Sequence, residues 1–370
     1  MKFINALSIL TLLVLSIHSS ASFGMTPAEL IEDQGLKVFN TEVNKAISMK
    51  YGEYFSASAF KAFVEKDPRN FAFKSYVLDV LRQKSKKQKI PTHLKVIVNT
   101  GLGWDTDNYS QQMSHVKNFM DDVRKLGVEV IFLSKFPYAP LEQNIESIKP
   151  QLKNLLRNKE DRYILMSLCK GTPELLIATA ELVLENPQLK SKIAGFMNMS
   201  GMLGGTFFSS DRLDIKSMVE MEKIIDNKLP SPDSFVKYDR EQTIWSLPYI
   251  SNKRIEANLR PVLKVDFGNI PAINVSGAIM SDKMSKRSSP LQMFLIYNQL
   301  MNIYSYGNDG FIDVTQTRLP KNMFKNQKSL VIDGSHLLVD GYLAEFDLSQ
   351  TKNRELFYRG VFESLLMEIK

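Results

Sequence analysis

Cys169, the only cysteine in 370 residues, stands in Tyr163-Ile164-Leu165-Met166-Ser167-Leu168-Cys169-Lys170-Gly171-Thr172-Pro173-Glu174, where an apolar run turns abruptly into a helical pattern. That is the layout of a nucleophile elbow, a strained strand-to-helix turn whose neighbours two before and two after must be small because strand and helix pass close together. Ser167 and Gly171 are those small residues. A thiolate attacks an acyl carbonyl more readily than a neutral hydroxyl does, and the unpaired N–H groups of a helix N-terminus lower a thiol's pKa. Small-x-Cys-x-Gly is a weak signal taken alone, and free cysteine is often inert core.

A nucleophile needs a base, and the chain offers four histidines. His18 lies in the apolar N-terminal segment, His93 precedes a strand, and His115 sits within a helical pattern with Met113, Val116, Phe119 and Met120. His336 follows the apolar run Ser329-Leu330-Val331-Ile332 in Asp333-Gly334-Ser335-His336. Upstream, Asn308-Asp309-Gly310-Phe311-Ile312-Asp313 places a carboxylate in a turn at the end of another candidate strand. With Arg318-Leu319-Pro320 between them, these segments resemble the acid and histidine segments of bacterial lipase-like α/β-hydrolases, where nucleophile, acid and histidine follow in that order. Ile193-Ala194-Gly195-Phe196-Met197-Asn198-Met199-Ser200-Gly201-Met202-Leu203-Gly204-Gly205-Thr206 resembles the strand and Gly-rich loop after the elbow helix. The resemblance runs from about Lys95 to the C-terminus and has Cys where those enzymes carry Ser.

It implies a catalytic triad of Cys169, Asp309 and His336. His336 would take the thiol proton and return it to the leaving group, while Asp309 would orient the ring. Asp313, four residues on, is read as a surface or loop-capping residue. The oxyanion would be held by two backbone N–H groups, that of Lys170 and one from Thr100-Gly101-Leu102-Gly103-Trp104, with Leu102 indicated by the resemblance and Gly101 as the alternative. Trp104, Phe207, Phe208 and Phe311 stand where they could wall a substrate pocket or merely pack.

The elements that position these residues follow from hydrophobic spacing. Residues 26 to 81 show helical periodicity, as in Leu36, Phe39, Val43 and Ile47, broken near Asp67-Pro68. Strands are expected at Lys95–Asn99, Val128–Leu133, Tyr163–Met166, Ile193–Met199, Pro271–Ile279, Met301–Tyr306 and Ser329–Ile332. Alternation with helices implies a mostly parallel central sheet flanked by helices, the α/β-hydrolase fold. Such lipases often begin with extra antiparallel strands, which are not apparent here. The expected organisation is a signal peptide over 1–21, a helical N-terminal extension over 22–90, and a hydrolase domain over 91–370. An insertion at 205–269, with short helical pieces carrying Met218, Met221 and Ile224, would be a lid or cap, or would pack only its own small core.

Composition bounds the rest. At 44% hydrophobic and 24% charged the chain is neither disordered nor fibrous. Its net charge of +7 is scattered, and the one dense basic run, Arg82-Gln83-Lys84-Ser85-Lys86-Lys87-Gln88-Lys89, reads as a solvated loop; a nucleic-acid or membrane-surface patch is the alternative, poorly supported because aromatic interleaving is lacking. Lys2, the apolar Phe3–Ile17 segment and Ser19-Ser20-Ala21 read as an export signal cleaved after Ala21, too short for the ~20 residues of a spanning helix. No cofactor is expected, and no histidine or cysteine cluster suggests a metal site. The expected function is an exported carboxylic-ester hydrolase, periplasmic or secreted, acting on a small-molecule or lipid ester through an acyl-thioester. The competing readings are a hydrolase-fold binding protein that has lost catalysis, and a thiol-dependent acyltransferase. The triad type also resembles those of dienelactone hydrolases and polyhydroxyalkanoate synthases, though export argues against the synthases, whose acyl-coenzyme A substrates are intracellular.

Overall fold

The computed structural model describes residues 25–101, 114–136, 139–205, 252–280, 307–309, 312–336, 338 and 341–369. The export segment, Leu102, Trp104, Phe207, Phe208, Phe311, most of the expected insertion and the expected strand at Met301–Tyr306 lie outside them.

Six strands run parallel: β1 (Leu94–Asn99), β2 (Glu129–Phe132), β3 (Arg162–Leu168), β4 (Ile193–Met199), β5 (Ala272–Ala278) and β6 (Gln327–Asp333). They lie in the order β2-β1-β3-β4-β5-β6, and two short antiparallel strands, β7 (Tyr342–Leu343) and β8 (Phe346–Asp347), extend the β6 edge. Strands covered on both faces must be apolar at nearly every position. β4 and β5 are buried throughout, whereas β2, at the edge, is only partly covered. The short antiparallel pair has too little alternation to be legible in the sequence.

Helices α1 (Pro27–Asp33), α2 (Thr41–Tyr51), α3 (Glu53–Glu65) and α4 (Pro68–Leu81) precede the sheet. Each start has a local cause. Thr26 and Glu29 form a capping box, Asn40 accepts from the Val43 N–H, and Asp67 caps α4 with Pro68 in the first turn. This extension shares the core of the sheet. Leu30, Ile47, Phe60 and Val64 form one apolar cluster with Ala278, Val314 and Val331, and Phe73, Val77 and Leu81 of α4 join the main core. At roughly 1.5–3 kcal/mol for each fully buried large apolar side chain, the contacts fasten the extension firmly.

Among the described residues five further α-helices flank the sheet: α5 (Ser114–Arg124), α6 (Leu141–Leu156), α7 (Gly171–Glu185), α8 (Asn252–Val262) and α9 (Thr351–Leu366). α9 packs on α4 and α5, while α7 packs on α6 and α8. The connection from β1 through α5 to β2 runs one way across the sheet, and that from β2 through α6 to β3 runs back. Right-handed crossovers therefore put α5 and α6 on opposite faces. α8 falls within the segment expected to be a cap, but Ile255, Leu259 and Val262 are buried in the main core, so this part of it is an integral covering helix.

The chain leaves β1 toward β2 and returns on the other side to β3, so strand order reverses between β1 and β3. In open α/β sheets the crevice outside the carboxyl ends of strands at such a switch is where ligands bind. The turn after β1 holds Gly101 and the turn after β3 holds Cys169. The sheet order and the turn after β3 are those of the α/β-hydrolase fold.

Candidate active site

Cys169 has φ of 56°, a left-handed conformation in a residue with a side chain, between the last residue of β3 and the start of α7. Such strain persists only where the surroundings enforce it. Here the Cys169 N–H donates to the Met199 carbonyl at 3.3 Å, and its carbonyl accepts from Thr172 N at 3.0 Å and Met202 N at 3.1 Å. The turn is so tight that a Cβ on Gly171 would run into the Thr100 and Asn99 carbonyls, and one on Gly101 would lie 2.8 Å from the Cys169 Cβ. The expected need for a small residue two after the nucleophile thus has a direct steric cause, and Gly101 meets the same requirement from the opposite strand.

Polar groups fix the turn from below. Thr172 Oγ1 donates to Ser167 Oγ at 3.0 Å or Asn198 Oδ1 at 3.1 Å, and Asn198 Nδ2 reaches the Thr317 carbonyl at 2.6 Å and Asn274 Oδ1 at 3.0 Å. Asn274 Oδ1 also accepts from Leu319 N at 2.9 Å. The network spans β3, α7, β4, β5 and the segment after the acid loop. Asn198 and Asn274 interrupt otherwise apolar strands, and that interruption was the signal in the sequence that could have singled them out.

His336 follows β6 and Asp309 lies in the loop before it. His336 Nδ1 and Asp309 Oδ2 are 2.7 Å apart, both side chains buried, and the His336 N–H also donates to the Asp309 carbonyl at 2.8 Å. Asp309 Oδ1 accepts from Ile312 N at 2.8 Å, which fixes the carboxylate's rotation. The imidazole in turn interacts with the Cys169 thiol. Burial disfavours its charged form, but the Asp309 carboxylate, the Cys169 sulfur and hydrogen bonds to both raise its pKa from 6.5 to about 10. Cys169 Sγ also lies 3.2 Å from Met202 Sδ, on the loop after β4.

The structure therefore brings Cys169, Asp309 and His336 together, with Lys170 at the N-terminus of α7 and Gly101 against the elbow. It separates the two candidate acids. Asp313 accepts instead from Thr315 N at 2.8 Å, Thr315 Oγ1 at 2.7 Å and Asn44 Nδ2 at 3.0 Å. It caps a short 3-10 turn, Val314–Gln316, as expected for a loop-capping residue, but it is not at the surface: it is 8% exposed, and burial raises its pKa. Asn44 of α2 also bonds Gly307 through both backbone groups, at 2.9 Å to its carbonyl and 3.1 Å from its N–H, and accepts from Ser56 Oγ at 2.6 Å. The helical extension thus grips both ends of the acid loop, a role that periodicity could not reveal.

A second unexpected feature is charged. Glu174, fully buried in the first turn of α7, lies 2.5 Å from Lys135 Nζ and 3.3 Å from Lys170 Nζ, and accepts from Asn144 at 2.8 Å and Asn99 at 3.1 Å. Among the described residues there is no cluster of metal-ligating side chains and no helix long and apolar enough to cross a membrane.

No family model and no curated protein matches the sequence. Among solved structures the chain is similar to the mature form of the Bacillus licheniformis lipase BlEst2, at 12% identity over 68% of this chain and 89% of that one, with a TM-score of 0.42. It is also similar to the metagenomic carboxyl esterase MGS0156, at 12% identity over 75% and 79% of the two chains and a TM-score of 0.46. A third is YbtT, a type II thioesterase from the yersiniabactin biosynthetic pathway, at 12% identity over 77% and 98% and a TM-score of 0.40. Likenesses this distant say nothing about chemistry, and the fold is read from the chain's own sheet order and elbow.

Proposed function

We propose that this protein is an exported ester hydrolase that works through Cys169, His336 and Asp309 and passes through an acyl-thioester. The observation that carries the reading is His336 held by Asp309 at 2.7 Å and interacting with Cys169, which stands on a strained elbow. Because the Asp309 carboxylate and the Cys169 sulfur raise the imidazole's pKa to about 10, His336 is a strong enough base to take the Cys169 proton as the sulfur attacks. The thiolate attacks the ester carbonyl and the carbonyl π electrons move onto oxygen, where the Lys170 N–H and a donor from the loop after β1, Gly101 or Leu102, receive them. The tetrahedral intermediate collapses, the C–O bond to the alcohol breaks, and imidazolium gives the leaving alkoxide its proton. Neutral His336 next takes a proton from water, which attacks the thioester; collapse releases the acid, and the imidazolium returns its proton to the Cys169 sulfur. Asp309 keeps the ring oriented and the imidazolium favourable throughout.

The N-terminal apolar segment supports export, and the lone thiol of an exported protein, with no disulfide partner in the chain, supports a chemical use for it. Assay of the mature chain, from Ser22, on p-nitrophenyl esters of graded acyl length tests the reading. Turnover that is lost on iodoacetamide treatment supports it. Turnover insensitive to complete alkylation of Cys169 contradicts the thiol mechanism, and binding of esters without turnover favours the hydrolase-fold binding protein.

A further inference from the structure

The mechanism above makes no use of the side chain of Lys170, yet it is fully buried one residue from the thiol, where an ammonium is costly. Its surroundings are built for charge. Lys170 Nζ donates to the Ala139 carbonyl and sits 3.3 Å from Glu174 Oε1; Lys135 Nζ donates to the Thr100 carbonyl and sits 2.5 Å from Glu174 Oε2. Side-chain exposure is 0% for Lys170 and Glu174 and 1% for Lys135. Asn144 Nδ2 takes the Oε1 side of the carboxylate, while Asn99 Nδ2 reaches both Glu174 Oε2 and the Gly171 carbonyl. With both lysines protonated, two ammonium groups around one carboxylate would leave one net positive charge under the elbow, although burial lowers the Lys170 pKa.

The tethers are placed as well as the charge. Thr100 precedes Gly101, the residue pressed against the Cys169 Cβ, and Gly171 is the residue whose contact with Thr100 sets the tightness of the turn. A structural ion pair would be neutral and indifferent to the thiol. This cluster is coupled to the thiol: burial lowers the Lys170 pKa and Lys135 opposes its charge, while Glu174 and the Cys169 sulfur support it.

Resting on Cys169 as nucleophile, we propose that Lys135, Glu174 and Lys170 form an electrostatic support for the elbow: their net positive charge favours the thiolate, and their backbone tethers hold the Thr100–Gly101 turn against it. All three are positioning residues, since none touches the reacting atoms through its side chain. The charged and titratable groups facing the thiol in this account are Lys170 of the elbow, Glu174 of α7, Lys135 from the segment after β2, and His336 with Asp309 behind it.

The pH dependence of Cys169 alkylation by iodoacetamide reads the proposal directly, because only the thiolate reacts. Lys135→Met removes one positive charge and is expected to move the midpoint upward by about one unit, a tenfold loss of thiolate at a fixed pH below it. Glu174→Gln removes the negative charge and is expected to move the midpoint downward. Opposite signs are the signature of charge, whereas loosening of the turn would move both variants the same way. Each variant carries its own sign, so either one that melts cooperatively is decisive if the other does not fold. An unchanged midpoint in Lys135→Met, or an upward shift in Glu174→Gln, overturns the proposal. Ester turnover is followed in parallel: if alkylated wild-type protein keeps its activity, the nucleophile assignment fails while the alkylation midpoints still judge the cluster.

Discussion

His336 holds the Asp309 carboxylate at Nδ1 and interacts with the Cys169 sulfur, and the identity of each neighbour has measurable consequences. Asp309 holds Nδ1 at 2.7 Å, whereas Asp313 is committed to Thr315 and Asn44. Asp309→Asn is expected to lower turnover by up to about 10⁴-fold while leaving the fold intact, as when an imidazole loses its orienting carboxylate. Asp313→Asn is expected to stay within a few fold of wild type, because burial already disfavours the Asp313 charge and an amide retains the accepting oxygen. Comparison of kcat on one ester, with melting curves as the folding control, checks both; a large loss at Asp313 with little at Asp309 would reverse the assignment. The two carboxylates were separable in the sequence only through the turn chemistry of Asn308-Asp309-Gly310. The buried partners of Asp313 were not, since Asn44 lies 269 residues away.

At the scale of elements, the sheet was legible because parallel strands covered on both faces must be continuous apolar runs, and the elbow was legible because close passage of strand and helix demands small residues. The purpose of the N-terminal helices was not. Their periodicity gives a buried face but not what it is buried against, and the structure sets it on β6 and the acid loop. Asn44 is the hinge of that contact. Its loss would leave buried groups of Gly307, Asp313 and Ser56 without it, at a cost of about 1–3 kcal/mol for an unsatisfied buried group. Asn44→Ala is therefore expected to lower the melting temperature and to reduce kcat with little change in KM, since it loosens the carboxylate and touches no substrate. Unchanged kcat in a destabilised Asn44→Ala protein would show the extension to be only a scaffold. The Lys135–Glu174–Lys170 cluster was equally hidden, because its members come from three segments whose meeting depends on the strand-order reversal.

Across the whole molecule, the buried His336–Asp309 pair couples stability to pH. The folded-state pKa of His336 is about 10 against an ordinary 6.5, so its protonated form is bound more tightly in the folded chain. The stabilisation is complete below about pH 6.5 and is lost as pH rises through about 10. Melting temperature is expected to fall over that window, and His336→Ala is expected to flatten the fall; an identical slope in the variant would remove the ion pair from the account. The overall arrangement follows from few sequence features, yet the Asp309 loop, the Cys169 elbow and the Thr100–Gly101 turn are joined by contacts between segments far apart in the chain. The most direct test of the whole is chemical. Brief reaction of the mature chain with p-nitrophenyl acetate, acid quenching and peptide mass mapping should find one acetyl group on the peptide bearing Cys169, absent when the protein is first alkylated and persisting longer in His336→Ala if any forms. An acetyl group on another residue, or full turnover by a Cys169→Ala protein, would contradict the thioester mechanism.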